Sequence, residues 1–179
     1  MNNRKDLEEI FLKNGFNDFK WLDPAKIVVS HWVRMKCIYG CPEYGQKASC
    51  PPNNPSVSEC EKFFREYKEA VVFHFGKKFK DPEERHAWMN EINLKLSDLE
   101  REVFLAGYVK TFLLFMGSCE ICPDCTKVRA NCKHPRLSRP TPEGMAIDVF
   151  TTVRHIDYPI QVLKDYSEKM NRYAFLMIE

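Results

Sequence analysis

The sequence predicts an α+β fold, with α/β as the alternative: one domain over residues 1–179, a central sheet of about four strands, helices packed on it, and two cysteine-rich loops at 37–60 and 117–140. Three observations predict it. β-branched and aromatic runs of strand length alternate with longer segments whose apolar residues recur at steps of three and four, so strands and helices share the chain. The 179 residues suffice to bury one core and fall within the range of one domain. Seven of the eight cysteines sit in two stretches rich in Gly, Pro and Asn, where no regular element runs far.

The elements follow in order. Leu7, Ile10 and Phe11 lie at helical spacing within Asp6–Asn14, and Gly15 stops that helix as a C-cap. After Asp23-Pro24, the β-branched Ile27-Val28-Val29 predicts a strand through Val33 that delivers Cys37. Ser56 is placed to cap a helix carrying Val57, Cys60, Phe64 and Tyr67 on one face. Val71–Phe75 reads as a buried strand closed by Gly76. His74 within it reads as a satisfied core or edge residue rather than a ligand. Asp81 and Pro82 open the longest helix, whose stripe of Met89, Ile92, Leu96, Leu99 and Val103 faces the core. Val109–Met116, nearly all apolar, predicts a central strand that runs straight into Cys119. Thr141-Pro142 resembles an N-cap with proline at N1 and predicts a short helix through Val153. A further helix is expected around Gln161–Asn171, and Tyr173–Ile178 closes the chain as a strand.

Composition bounds the function. A formal net charge of +2 argues for neither nucleic acid nor membrane, and no apolar run approaches the length of a membrane span. The charged opening residues lack an apolar signal segment, so a cytoplasmic protein is the default expectation. In that compartment eight cysteines point to metal or catalysis rather than to disulfides.

Cys119, Cys122, Cys125 and Cys132 form C-x2-C-x2-C-x6-C. Three thiols at three-residue intervals converge when the backbone turns around one object, and pairing into disulfides cannot satisfy three. Zinc modules present paired C-x2-C knuckles across a longer spacer, whereas one tight run with a more distant fourth cysteine is the ferredoxin-like arrangement around a [4Fe–4S] cube. The spacing therefore favours iron–sulfur, with zinc as the alternative. Prolines directly after Cys41, Cys50 and Cys122 keep the backbone turned away from such a cluster. Lys127, Arg129, Lys133, Arg136 and Arg139 outnumber Glu120 and Asp124 around the second block, which suits an anionic cluster. A phosphate or RNA patch is the competing reading of those cations, weakened by the lack of interleaved aromatics. His134 reads as a donor to the ligands or, less favoured, as a ligand.

The first block, C-x3-C-x8-C at Cys37, Cys41 and Cys50, predicts a second site, the alternative being free, partly buried thiols. Cys60 is its candidate fourth ligand and equally a core residue of its helix.

These two blocks resemble a family of cysteine-rich bacterial and archaeal proteins of unknown function, described as predicted metal-binding proteins. The first block is similar to C-x-x-x-C-x-x-Y-G-x(4)-C-P-P through Cys37, Cys41, Tyr44, Gly45, Cys50, Pro51 and Pro52. The second is similar to C-x-x-C-x-x-C, C-[RK]-x-P, R-P-S-M-E-A and G-I-D-V through Cys119, Cys122, Cys125, Cys132, Pro135, Arg139, Pro140, Glu143, Ile147, Asp148 and Val149. Thr141, Pro142 and Ala146 depart from that tail, and Cys60 has no place in the pattern. The resemblance implies metal binding over roughly Cys37–Phe150 and supplies no reaction.

Three functions follow as expectations. One is an electron carrier or redox accessory holding one or two [4Fe–4S] clusters and serving a redox partner protein. The second is an enzyme whose three-cysteine cluster acts on a small-molecule substrate by desulfuration or dehydration, with Tyr39, Tyr44 or His134 moving protons. The third is a zinc-stapled binding module. A pocket beside the first block distinguishes the enzyme from the carrier.

Overall fold

The computed structural model describes residues 4–165 and 168–179. Its order is α1 (Arg4–Lys13), β1 (Phe19–Leu22), α2 (His31–Gly40), α3 (Val57–Arg65), β2 (Ala70–Lys77), α4 (Pro82–Leu105), β3 (Phe112–Leu114), α5 (Val149–Arg154) and β4 (Met170–Met177). The four strands form one antiparallel sheet in the order β1-β2-β4-β3, an α+β fold.

Side chains alternate across a strand, and here both faces of the two central strands are apolar. Val71 and Phe73 of β2, with Ala174 and Leu176 of β4, pack against Leu7 and Phe11 of α1 and Leu96, Leu99 and Val103 of α4. Ala70, Val72, Phe175 and Met177 meet Cys60 and Phe64 of α3 and Val149 and Val153 of α5. Helices therefore cover both faces of the sheet. Each fully buried Phe or Leu contributes roughly 2–3 kcal/mol, against about 1 kcal/mol at most for an exposed pair such as Arg4–Glu69, so the fold rests on these two cores.

Several expectations hold in detail. Gly15 follows α1 at φ +82°, as a C-cap glycine should. Ser56 and Glu59 form a reciprocal capping box on α3, and Asp81 accepts from the Glu84 N–H at 2.8 Å to start α4. His74 is satisfied: Nδ1 lies 2.6 Å from Asp18 Oδ2, Nε2 lies 2.9 Å from Asn171 Oδ1, and the ring stacks on Tyr173.

Four expectations are corrected. Ile27–Val33 is not a sheet strand. Its backbone groups are taken by a neighbouring loop instead, with Asp148 N–H donating to Val28 O at 2.7 Å and Ser30 N–H to Ala146 O at 2.9 Å, and α2 starts at His31. The fourth strand is β1, four residues without a β-branched side chain. β3 lies at an edge, not the centre. Its apolar run reflects burial of Leu113 to Met116 on both faces rather than two neighbouring strands. The free edge is closed by other groups: Leu113 N–H donates to Glu100 Oε1 (2.9 Å), Phe115 N–H to Pro140 O (2.9 Å) and Met116 N–H to Asn93 Oδ1 (3.2 Å).

Thr141 caps a turn rather than a helix, its Oγ1 accepting from Gly144 N–H at 2.9 Å. α5 begins only at Val149, capped by Asp148 accepting from Thr151 N–H. The helix expected over Gln161–Asn171 is absent from the described part of that stretch, where 161–165 is irregular and β4 begins at Met170. Residues 166–167 lie outside the described residues.

Candidate metal centre

The second cysteine block starts where β3 ends. Arg139, near its far end, is tied back to α4 by Glu100, with Nε donating to Oε1 at 3.0 Å and the guanidinium 2.8 Å from Oε2. Both ends of the loop are thereby fixed to one edge of the fold. At Gly117 the chain passes close to α4: a Cβ there would stand 2.8 Å from Met89 Sδ, the flexible end of a side chain that would have to shift. A single turn of 3-10 helix at Arg129–Asn131 then delivers Cys132.

Cys119, Cys122, Cys125 and Cys132 line one small cavity of about 10 Å³, together with Ala48, Ser49, Ile121 and His134. Among the described residues no three Cys, His, Asp or Glu side chains are grouped so as to hold a single ion as they stand. Ala48 N–H donates to Cys125 Sγ at 3.3 Å. Ser49, whose hydroxyl is buried without a partner among the described residues, lines the same space.

Ala48 and Ser49 belong to the first block, which the sequence presents as a separate site. The two blocks are in fact one packed unit. Lys47 Nζ sits 2.7 Å from Glu120 Oε2, Ser118 Oγ donates to Glu43 Oε2 at 3.1 Å, and Asn53 spans the gap. Its Nδ2 donates to Lys127 O at 2.8 Å and its Oδ1 accepts from Arg129 N–H at 3.1 Å.

Cys37 and Cys41 come from the end of a helix, not a strand. They are four residues apart at the C-terminus of α2, hence on one side of it. Arg34, one turn earlier, holds α2 in place by donating to Pro55 O (3.0 Å) and Gly144 O (3.1 Å). Cys50 arrives from the turn beyond, where Gly45 at φ +71° lets its N–H donate back to Pro51 O at 3.0 Å.

The three thiols line a cavity of about 300 Å³ together with Glu43, Tyr44, Arg85, His86, Glu143 and Arg172. Burial pushes the Cys50 thiol up to about 12, with Glu43 and then Cys37, Cys41 and Cys119 adding to the shift. Burial also raises Cys37, against the neighbouring Arg34 charge. Cys50 thus senses cysteines of both blocks, and the segment 48–50 forms the wall between the two sites.

These residues fit a thiolate-bound metal. The donors are soft sulfurs. A bound cation stabilises buried thiolates that are otherwise held as thiols. The Ala48 amide and the orphan Ser49 hydroxyl are the kinds of donor that hydrogen-bond to ligating sulfur.

Other placements differ from expectation. His134 lies with the second block, not beside the first, and Tyr39 is 84% exposed and lines neither thiol cavity; Tyr44 does line the first. Cys60 is a core residue, 0% exposed, with its sulfur 3.6 Å from Pro55 O and 4.0 Å from Met145 Sδ. No disulfide links the cysteines.

Arg85, His86, Arg172 and Glu43 escaped sequence reasoning. The one signal was Arg172, a charge within the largely apolar β4.

An α+β scaffold with seven cysteines gathered at two adjoining sites defines a protein of the cysteine-rich metal-binding class. A family model described as "Predicted metal-binding protein (DUF2284)" matches residues 20–178, and the chain belongs to that family. Neither a curated protein nor a solved structure matches it. No described helix is long and apolar enough to cross a membrane.

Proposed function

We propose that this protein binds [4Fe–4S] clusters and acts in one-electron chemistry, as a carrier or as an accessory to a redox enzyme. The observation that carries the reading is that Cys119, Cys122, Cys125 and Cys132, at C-x2-C-x2-C-x6-C spacing, line one small cavity with amide and hydroxyl donors in its wall. Zinc modules present paired C-x2-C knuckles across a longer spacer, whereas three of these cysteines come in one tight run with a fourth further on. The surplus of Lys and Arg in 117–140 offsets the negative charge of a four-thiolate cluster and raises its potential.

The cavity beside Cys37, Cys41 and Cys50 favours a second reading for that block, an enzyme site working on a small molecule. Cys37, Cys41 and Cys50 would hold such a cluster, which would supply Lewis-acid chemistry suited to dehydration or desulfuration. The chain's own contribution is placement. Glu143 and Tyr44 stand in the cavity to hold or move a proton, and Arg85 and Arg172 to orient negative charge.

Iron, acid-labile sulfide and zinc, measured on protein purified without air, test the reading. Iron and sulfide in near-equal amounts are expected, with a brown colour. Stoichiometric zinc without iron or sulfide would instead make the chain a zinc-stapled binding module.

A further inference from the structure

We propose that a second, larger cavity opening onto Cys37 and Cys41 is the binding site of a small organic carboxylate, with its apolar body against Trp32, Phe150, Ile160 and Leu163 and its carboxylate on Arg172. This deepens the second reading above by naming the ligand class of the three-thiol site.

The cavity, of about 590 Å³, lies between α2, the start of α5, the 160–163 segment and the start of β4. Its size falls in the range of small-molecule sites, roughly 300–1,000 Å³. Most of its wall is apolar, with Val33, Ile147, Val149 and Met170 adding to the side chains just named. At its rim Trp32 and Val162 are 51% and 79% exposed, apolar surface that a ligand body would cover.

The polar lining includes Lys36, Gln161, Asn171 and Tyr173 besides four groups shared with the neighbouring cavity. Cys37, Cys41, Glu143 and Arg172 line both this cavity and the 300 Å³ one, so two of the three thiols stand at the junction.

Arg172 determines the charge of the ligand. It is partly buried, yet no ion pair joins it to a described carboxylate. Its side-chain hydrogen bond runs from Nε to the Met170 thioether at 3.1 Å, a weak acceptor, and its terminal nitrogens have no partner among the described residues. Burial works against its charge, opposed by Glu143 and reinforced by Arg85. A guanidinium presents its donors in a fork that matches a carboxylate, so an organic acid completes what the protein leaves open. Lys36 adds a second positive charge to the same wall, against the single carboxylate of Glu143. A neutral apolar ligand would leave the Arg172 donors unmet.

The test is calorimetric titration of the full chain, purified without air, with benzoate, 2-naphthoate and decanoate and with the matching amides. At least one acid is expected to bind one to one, with its amide at least tenfold weaker. Arg172→Gln should remove that preference, and Val162→Trp, at an exposed position on the rim, should weaken acid and amide alike. Iron content and circular dichroism of each variant establish that it is folded and loaded. No binding by any acid, or equal binding of acid and amide, overturns the inference. Binding with acid preference in protein that lacks iron and sulfide upholds the ligand site while overturning the cluster reading. Iron and sulfide without binding does the reverse.

Discussion

Cys119, Cys122, Cys125 and Cys132 line about 10 Å³ of space, whereas Cys37 and Cys41 stand where cavities of about 300 and 590 Å³ meet and Cys50 lines the smaller of these. On the proposed reading the first set is complete and closed, the second incomplete and open. A closed set of four donors suits storage and passage of electrons. An open set of three suits a ligand that completes it. The difference has a physical origin in the fold. The second loop is pinned at both ends to β3 and α4, while two of the three cysteines of the first block ride the end of a short helix beside the 141–147 turn and the start of β4.

The largest effect expected from breaking this contrast is at Cys125. Binding energy at a structural metal is folding energy. Cys125→Ala should empty the closed site and lower stability by on the order of 5 kcal/mol. Cys41→Ala, at an exposed position, should remove the metal of the open site with a clearly smaller fall in Tm. Thermal unfolding with iron per chain measures both, and equal falls would mean that the two sites do not differ as described.

Next is Glu100→Ala, which leaves the half-buried Arg139 with only the Arg136 and Ser138 carbonyls, and the Leu113 N–H without its acceptor, and should cost about 2–3 kcal/mol in urea unfolding. A loss below about 1 kcal/mol would remove the pinning of the second loop from the account.

Asn53→Ala deletes two hydrogen bonds between the blocks, about 1 kcal/mol each. Because the blocks pack as one unit, retention of iron against a chelator should fall at both sites; a change confined to one site would make them independent. The smallest effect is at Cys60→Ala, comparable to deleting one buried methyl, about 1 kcal/mol, with iron per chain unchanged. Loss of a cluster's iron in that variant would return Cys60 to the ligands.

Much of this was legible in the residues. Caps at Ser56 and Asp81, the stripe of α4 and the apolar runs of β2 and β4 are local signals, and each produced its element. The ends of the sheet were not legible. Val28 and Val29 have strand-forming side chains, but their backbone pairs with 146–148, a contact more than one hundred residues away in sequence. The run ending at Met116 encodes burial, not neighbours.

At the site, spacing identified the seven thiols but could not show that Ala48 and Ser49 wall the other block's cavity. Nor could it bring Arg172, from the last strand, to the first block. Those relations exist only in three dimensions.

The most direct measurement is EPR of the dithionite-reduced protein, prepared without air, with and without 2-naphthoate. The account predicts two cluster signals, of which one shifts on adding the acid and the other does not, and that the shifting signal is the one lost in Cys41→Ala. Signals that ignore the acid, or that both respond to it, would contradict the division into one closed and one open site.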